Sequence, residues 1–498
     1  MISTEAAGTQ PDGRRELVSA PLLIWGTRFL LAYFGARLLF FALNISSAVP
    51  PDEITHAGLC GVFSKVLLLP DNSPETYRFG LATNIPWLYY WIMGKLLHLN
   101  FLGIPDLVFC RLLNIPLAFG TIHFIRKMLH LLTNDRLPHL LLVVVLTNCA
   151  MFSLLSASVS YDNLANLLAA MAIYYLLAFF RERTGTHLAA SILCQLAGCL
   201  CKITFLPLVL ILGALLLLHE FKNLRRLPAA VRNALRKATP LNWLMTTAVL
   251  VALALNLQIH AGNYLRFETL NPSMPVVVSS QAAMENRLDA RGLIFNQYKE
   301  GKITYMEAVI KAGEIKHPGD KADTFYLLMN YEKLKQNPQL WMGLPAYSVL
   351  WLENMVGSIF GIKAHLIMAK ELPARVPLYV LMALALLGFT LCWRQRKSGW
   401  LPLHLATIGT LYAGYFLYEV NYDSYLNYGA PGLTLYGRYL FPVLGPLAVL
   451  FCRYLLQLFR NDVLRGAAAL TTALLLIAYD FPWFLLHATP EWYTWLPQ

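Results

Sequence analysis

Residues 20–56 read APLLIWGTRFLLAYFGARLLFFALNISSAVPPDEITH, a long apolar run that ends in two prolines and a charged cluster. The run is long enough for a helix to cross a membrane, which takes roughly 20 apolar residues. Pro50 and Pro51 stop that helix, because proline donates no N–H and also restricts the residue before it. The stretch therefore predicts a membrane helix that emerges into water at Asp52, Glu53 and His56.

The composition of the whole chain agrees with a membrane protein. Of its 498 residues, 57% are apolar and only 14% are charged, whereas about a quarter of the residues of a soluble domain are charged. The net charge of +12 is typical of Lys and Arg retained in cytoplasmic loops, and we expect no nucleic-acid partner. The eight cysteines lie mostly in apolar runs, which predicts buried thiols rather than disulfides.

Apolar runs predict about eleven transmembrane helices and therefore an all-α polytopic membrane protein. The predicted spans are residues 20–46, 106–131, 138–157, 162–180, 187–200, 203–220, 241–262, 376–393, 400–420, 438–457 and 466–486. The basic residues fall on one side if the spans alternate, from Arg14 and Arg15 through the run Lys222 to Lys237 and on to Arg465. The positive-inside rule then predicts a cytoplasmic N-terminus.

This topology divides the chain into four parts. They are a cytoplasmic tail at 1–19, an N-terminal transmembrane module at 20–262 with an outer loop at 47–105, an outer loop with helices at 263–373, and a C-terminal transmembrane module at 374–498. Helical apolar spacing in the first outer loop, up to Pro70 and again from Pro86 to His98, predicts amphipathic helices on the membrane surface. In the second loop we predict helices over 298–312 and 323–335, followed by an apolar stretch at 341–360.

The charged cluster after Pro51 is a candidate site. If a helix starts there, Asp52 and His56 fall on one face, and one carboxylate could act as a base while its neighbours orient it. Alternatively, Asp52 is only the N-cap, with Glu53 in the first turn. Carboxylates and imidazole also suit a divalent cation, although no second cluster completes a coordination shell.

Four ionisable residues lie near the outer ends of predicted spans, on the same side as Asp52. They are Arg111, Asp162, Lys202 and Arg438. Charges at membrane depth are costly and are therefore functional candidates, and an Arg at a helix N-terminus suits a phosphate. The alternatives are interfacial snorkelling and, for Asp162, a helix cap. Tyr residues at 412, 415, 418, 422 and 425 follow helical spacing, which predicts one aromatic face, for sugar stacking or an interfacial belt.

Several of these motifs together resemble a known family. They are PPDEITHAG from Pro50, SVSYDNLANLLAAMAIYYL around Asp162, CKITFLPLVLIL from Cys201 and YGRYLFPVLGP from Tyr436. The chain is similar from about residue 20 to 460 to the GT-C superfamily of integral-membrane glycosyltransferases. Within it, the motifs resemble a bacterial branch of predicted glycosyltransferases with Pro-Pro-Asp-Glu and Gly-Arg-Tyr-Leu signatures, related to protein O-mannosyltransferases and the lipid A aminoarabinose transferase.

The resemblance implies an inverting transfer of a sugar from a polyprenyl-phosphate donor to a glycan, lipid or protein acceptor of the cell envelope. Asp52 would be the general base, with Glu53 beside it, and Arg438 would hold the donor phosphate together with Lys202 or Arg111. The remaining substrate-binding candidates are His56, Asp162, Tyr436 and Tyr439. The active site would face the outer, periplasmic side of the cell inner membrane, and no cofactor is required, although a divalent cation could bind.

Two other functions remain open. A transporter or flippase of lipid-linked sugars would carry charges through the bilayer midplane and paired broken helices. A glycan polymerase or ligase would use a diphosphate-linked donor and would present more outward-facing arginines to the leaving group. If the glycosyltransferase interpretation is right, Asp52 and Arg438 must converge at one site on the non-cytoplasmic side, with space for a lipid-borne sugar between them.

Overall fold

The computed structural model describes residues 17–221, 239–315, 318–366, 368, 375–395 and 399–495. Several basic residues that carry the orientation prediction, including Arg14, Arg15 and the run Lys222 to Lys237, lie outside these ranges, as does most of the predicted tail at 1–19. Within the described ranges the chain is helical and contains no strand, and an isolated antiparallel bridge joins Ile45 to Tyr493. The predicted all-α class is confirmed.

The helices alternate with short connections along the chain. The α-helices are Ala20–Asn44, Glu53–Ser64, Leu88–Leu96, Asp106–His130, Arg136–Thr147, Ala150–Ser156, Tyr161–Glu182, Gly185–Cys201, Leu206–Glu220, Pro240–Asn256, Gly262–Phe267, Met274–Val277, Ser280–Ala283, Arg287–Lys299, Tyr305–Gly313, Pro318–Gln336, Leu344–Phe360, Arg375–Arg394, Trp400–Tyr415, Asp423–Tyr428, Leu444–Gln457, Asp462–Ala478 and Phe481–His487. The 3-10 helices are Tyr77–Phe79, Leu97–Leu99, Ile203–Phe205, Pro338–Leu340, Gly437–Val443 and Pro490–Trp492, and π-helical turns lie at Leu257–Ala261 and Phe416–Tyr422.

Eight helical segments in the described ranges are long and apolar enough to cross a membrane. They are Ala20–Asn44, Asp106–His130, Tyr161–Glu182, Ile203–Glu220, Asn242–Phe267, Arg375–Arg394, Gly437–Gln457 and Asp462–His487. Many of their large apolar side chains, such as Leu22, Trp25 and Phe29, are exposed on the protein surface. Such a surface suits lipid rather than water, and the fold is that of a multi-pass membrane protein.

The predicted total of eleven spans is not confirmed. Predicted span 138–157 is a pair of helices, Arg136–Thr147 and Ala150–Ser156, bent by 64° at their junction, and counting this pair as one span gives nine. Predicted span 187–200 is the 17-residue helix Gly185–Cys201, which is shorter than a typical hydrocarbon core requires. Predicted span 400–420 ends as an α-helix at Tyr415 and continues as the π-helical turn Phe416–Tyr422.

Two membrane-length helices occupy the interior of the fold. In the most apolar 18-residue stretch of each helix, 67% of the residues are buried in Tyr161–Glu182 and 72% in Gly437–Gln457. In the other six membrane-length segments the buried fraction is 39% or less. Their N-terminal ends carry Asp162 and Arg438. Both charged side chains are therefore inside the protein rather than at a lipid-facing surface.

The first predicted loop contains the two helices that its apolar spacing indicates. Glu53–Ser64 buries Leu59 and Phe63, and it packs against Leu88–Leu96. A Cβ at Gly94 would lie only 2.8 Å from the Phe63 carbonyl carbon, so the two backbones touch where glycine has no side chain. This close packing holds the Asp52 turn on a rigid element.

The second loop differs in part from its prediction. A single helix over 298–312 is wrong, because Arg287–Lys299 ends before Gly301, which has a positive φ of 73°, and Tyr305–Gly313 starts afresh behind a Thr304 capping box. The predicted helix at 323–335 lies within Pro318–Gln336, and the apolar stretch at 341–360 contains the helix Leu344–Phe360. The module boundaries predicted at 262–263 and 373–374 stay predictions.

Candidate active site

Asp52 stands directly before the helix Glu53–Ser64 but does not cap it with its side chain. Its backbone is left-handed, with a φ of 59°, a conformation that residues with a Cβ rarely adopt. The carboxylate instead points across the fold, where Oδ2 accepts a hydrogen bond of 3.0 Å from Arg438 Nη2. Asp52 therefore occupies the N-cap position, as the alternative predicted, but its side chain does not form the predicted capping hydrogen bond.

Arg438 meets Asp52 although 386 positions separate them in the chain. The Arg438 residue is only 7% exposed, which excludes snorkelling to the surface, while the Asp52 side chain keeps 23% of its surface accessible. The two groups converge at one site as predicted, but they are in direct contact at 3.0 Å, so the space expected between them for a lipid-borne sugar is closed. The accessible Asp52 marks the side from which a substrate could reach the pair.

A second pair of charges lies behind the first. Arg438 Nη1 is 3.9 Å from Asp162 Oδ2, and the other Asp162 oxygen forms an ion pair with the Lys202 ammonium. All three residues are buried. The cluster thus alternates in sign from Asp52 through Arg438 and Asp162 to Lys202. This alternation offsets the cost of burying each charge. Ser160, not Asp162, supplies the capping side chain of Tyr161–Glu182.

Tyrosine rings line the two cations. The Arg438 guanidinium carbon is 5.5 Å from the ring centroid of Tyr436 and 5.4 Å from that of Tyr439. The Lys202 ammonium is 4.9 Å from the Tyr161 ring and 5.2 Å from the Tyr439 ring. These distances are within cation–π range. Burial raises the pKa of the Tyr436 hydroxyl, so this phenol keeps its proton.

Glu53 and Arg111 form a separate, closed pair. Arg111 Nε donates to Glu53 Oε1 at 2.8 Å and Nη2 donates to Oε2, which makes the contact bidentate. Oε1 also accepts the Val159 N–H at 2.8 Å, and Arg111 Nη1 donates to the carbonyl of Ile45 at 2.7 Å. Burial raises the pKa of the Glu53 carboxyl, and the Arg111 hydrogen bonds oppose that shift. This geometry favours a positioning role for both residues, and their predicted roles in catalysis and donor binding stay predictions.

His56 lies beneath the cluster. Its Nδ1 is 2.9 Å from the Tyr90 hydroxyl, and its ring packs edge-on against Tyr161 with centroids 4.5 Å apart. Burial lowers the pKa of His56 to about 4, although the carboxylates of Asp52 and Asp162 oppose the shift. The imidazole is therefore neutral near pH 7. It packs behind the charged groups, and its predicted contact with substrate stays a prediction.

Two residues that sequence reasoning missed complete the site. His365 Nε2 accepts a hydrogen bond of 3.1 Å from the Asp52 N–H, and Lys363 donates to the Leu435 carbonyl at 2.8 Å, beside the Arg438 turn. Both lie in a segment with neither a motif nor a periodic pattern. No sequence signal marks them, because only the fold brings this segment to the Asp52 turn.

A cavity of about 350 Å³ adjoins the same segment. Ile362, Lys363, Ala364 and Leu366 line it, as does Asp480. His365 is not among the lining residues and faces Asp52 instead. The segment therefore contributes residues both to this cavity and to the surroundings of the charged cluster.

The sequence allows a divalent cation near Asp52, Glu53 and His56. In the portions of the chain described above, no group of three or more His, Cys, Asp and Glu side chains could hold a metal ion. Asp52, Asp162 and Glu53 are each paired with a cationic side chain. The cation that this site could accommodate would have to displace one of these partners.

Fold and contacts together define a multi-pass, all-α membrane protein with a buried polar site in which cations and carboxylates alternate. A comparison of the sequence with family models finds no match, and neither does a comparison with curated proteins. The similarity to GT-C glycosyltransferases therefore depends on the motifs quoted above. What the site does is a proposal.

Proposed function

We propose that this protein is an integral-membrane glycosyltransferase of the GT-C type. It moves a sugar from a polyprenyl-phosphate donor to a glycan, lipid or protein acceptor of the cell envelope, at the outer face of the cell inner membrane. The observation that carries the proposal is the contact of 3.0 Å between the accessible Asp52 carboxylate and the buried Arg438 guanidinium. Such a transfer needs a base and an anion-binding group in one site, and because inversion places them on opposite faces of the sugar, the bound donor separates the Asp52 carboxylate from the Arg438 guanidinium.

The reaction divides between these two residues. Asp52 accepts the proton of the acceptor hydroxyl as its oxygen attacks the anomeric carbon from the face opposite the phosphate, which inverts that carbon. The bond between the anomeric carbon and the phosphate oxygen breaks, and its electron pair leaves with the polyprenyl phosphate. Arg438, with Lys202 behind it, neutralises the charge that develops on the phosphate. Protonated Asp52 then returns its proton to water.

The test uses the full-length protein in liposomes with polyprenyl monophosphate-linked hexose and pentose as donors and a native membrane extract as the source of acceptor. Asp52→Asn should lower transfer by about 100-fold or more, since it removes the general base, and should leave donor binding within about twofold. Asp71→Asn, an exposed carboxylate in the same loop, is the matched control and should behave as wild type. Unchanged turnover in Asp52→Asn would reject Asp52 as the base.

Arg438→Lys tests the donor side of the same site. Lysine keeps the positive charge but loses the planar fork that binds a phosphate bidentately. We expect at least about tenfold weaker donor binding, measured as the dissociation constant of the monophosphate-linked donor. Unchanged affinity would refute the assignment of Arg438 to the phosphate.

One observation favours the second candidate, a transporter of lipid-linked sugars. The bent pair Arg136–Thr147 and Ala150–Ser156 is of the kind found in transporters, although it is the one such pair in the described residues. A transporter would move the donor between leaflets without consuming it. A diphosphate-linked donor, consumed in place of the monophosphate, would instead favour the polymerase or ligase alternative.

A further inference from the structure

The segment that follows the helix Leu344–Phe360 contacts both halves of the site. The His365 N–H donates to the Val49 carbonyl at 3.1 Å, while its Nε2 accepts the Asp52 N–H at 3.1 Å. Two residues earlier, the Lys363 ammonium donates to the Leu435 carbonyl and lies 5.0 Å from the Tyr436 ring centroid. The segment thus fastens the Asp52 turn to the turn that carries Arg438.

Asp52 needs such support because of its own backbone. An Asp that precedes a helix ordinarily accepts an N–H of the first turn with its side chain, but Asp52 makes no such bond. Its left-handed φ of 59° is uncommon for a residue with a Cβ, although Asp adopts it more readily than most residues. The amide hydrogen of Asp52 donates to His365, so the turn is held from outside its own helix.

The hydrogen bond from the Asp52 N–H requires a particular protonation state of His365. Nε2 can accept an N–H only when it carries a lone pair, which requires a neutral imidazole with its proton on Nδ1. Nε2 is also 3.9 Å from Asp52 Oδ1, beyond hydrogen-bond distance. His365 therefore acts on Asp52 through the backbone.

We propose that His365 is a positioning residue for the Asp52 carboxylate. Its neutral imidazole accepts the Asp52 amide and stabilises the left-handed turn that directs the carboxylate to Arg438. The catalytic consequence rests on the proposed function: without this bond the base is misplaced, while Arg438 and Lys202 still bind the donor phosphate. Loss of His365 then lowers kcat and leaves donor affinity unchanged.

Two substitutions separate this role from general packing. A glutamine side-chain oxygen accepts hydrogen bonds and reaches about as far as Nε2. His365→Gln should therefore keep the hydrogen bond from the Asp52 N–H. An asparagine oxygen is also an acceptor but is one methylene shorter and stops near the Nδ1 position. His365→Asn and His365→Ala should therefore both lose the bond. His98→Ala, at an exposed histidine that contacts the Ser64 carbonyl away from the site, is the control.

Each variant of the full-length protein is measured in two ways. Hydrogen–deuterium exchange of a peptide over 49–56 includes the Asp52 amide among five exchangeable amides, because Pro50 and Pro51 have none, and fragmentation of that peptide resolves Asp52 from the other four. Transfer from the monophosphate-linked donor reports kcat, and donor binding is measured separately. In the Ala and Asn variants we expect faster exchange of the Asp52 amide. We also expect kcat to fall about tenfold or more, because displacing a catalytic base by about 1 Å lowers the rate by at least that factor. We expect near wild-type behaviour from Gln and from the His98 control.

The two readouts distinguish the possible failures. Unchanged exchange in His365→Ala, or equal exchange and kcat in the Gln and Asn variants, would overturn the positioning role. Absence of transfer by the wild-type protein from either donor would overturn the proposed function, and the exchange data would still decide whether His365 holds Asp52. If His365→Ala does not fold, the comparison of Gln with Asn gives the same decision.

Discussion

Asp52 and Glu53 are adjacent carboxylates with opposite environments. Consecutive residues at a helix start point in different directions, so the partly accessible Asp52 carboxylate reaches Arg438 and the buried Glu53 carboxylate reaches Arg111. Glu53 is 1% exposed and both of its oxygens are engaged. The residue available to a substrate is Asp52, and Glu53 anchors its turn.

This difference predicts that Glu53→Gln acts on stability. The substitution removes one charge of a buried bidentate pair and leaves Arg111 uncompensated, which costs about 3–5 kcal/mol. We expect a clear fall in Tm, measured by thermal unfolding in detergent, whereas Asp52→Asn at a partly accessible position lowers Tm less. A Glu53→Gln protein that is as stable as wild type but inactive would instead assign Glu53 to the reaction itself.

His56 predicts a particular loss of stability in acid. Its pKa is about 4 in the fold and about 6.5 in an unfolded chain, so below pH 6.5 the unfolded state binds the proton and the folded state does not. The contribution of neutral His56 to the free energy of unfolding is complete above pH 6.5. This contribution falls by about 3 kcal/mol as the pH is lowered to 4. His56→Asn should reduce the dependence of Tm on pH over this range. An equal reduction in His98→Asn, at an exposed histidine, would contradict this assignment.

At the scale of elements, Gly437 decides how the turn with Arg438 docks. Its N–H donates to Ser358 Oγ at 2.8 Å. A Cβ at this position would lie 2.5 Å from an Ile359 side-chain atom and 2.8 Å from the Met355 carbonyl oxygen. The 3-10 helix Gly437–Val443 can therefore approach the helix Leu344–Phe360 only with glycine at its first position.

Gly437→Ala should force these two elements apart. Overpacking against backbone atoms typically costs about 1–3 kcal/mol, and the displacement moves Arg438 away from Asp52. We expect a lower Tm and weaker binding of the monophosphate-linked donor. Gly432→Ala in the same loop has nothing within 4 Å of the added carbon and serves as the control. Equal effects of the two substitutions would mean that Gly437 does not set this approach.

Helix irregularities also decide which tyrosines share a face. The spacing from Tyr412 to Tyr425 predicts one aromatic face, but the structure buries Tyr412 and Tyr425 and leaves Tyr418 exposed. The π-helical turn Phe416–Tyr422 has more residues per turn than an α-helix, which rotates the later positions out of register. Tyr418, Tyr422 and Tyr425 nevertheless stay together, with ring centroids 6.3 and 6.2 Å apart. The predicted face is confirmed for these three tyrosines and not for all five.

At the scale of the molecule, a buried ion pair joins the first and last membrane-length helices. Arg37 pairs with Asp480, and each side chain is 2% exposed. Arg37 also donates to the Thr147 carbonyl at the bend between Arg136–Thr147 and Ala150–Ser156. Sequence reasoning missed this pair, because no local pattern relates residues so distant.

Asp480→Leu should therefore destabilise the protein strongly. It leaves the Arg37 charge buried without its partner, which lowers the free energy of unfolding by about 3–5 kcal/mol. The double variant Arg37→Met, Asp480→Leu should recover most of this loss, because apolar side chains replace both charges. The Tm values of the wild type, both single variants and the double variant measure the coupling. A double variant no more stable than Asp480→Leu would show that the two residues are not coupled.

The amino-acid sequence by itself determined the all-helical membrane class and most helix positions, because apolar runs of bilayer length and prolines after them are local properties. It also predicted that Asp52 and Arg438 meet. Only the tertiary structure decided that Glu53 closes on Arg111 and that His365 holds the Asp52 turn. Those partners are distant in the chain, and packing between helices, which no local pattern encodes, brings them together.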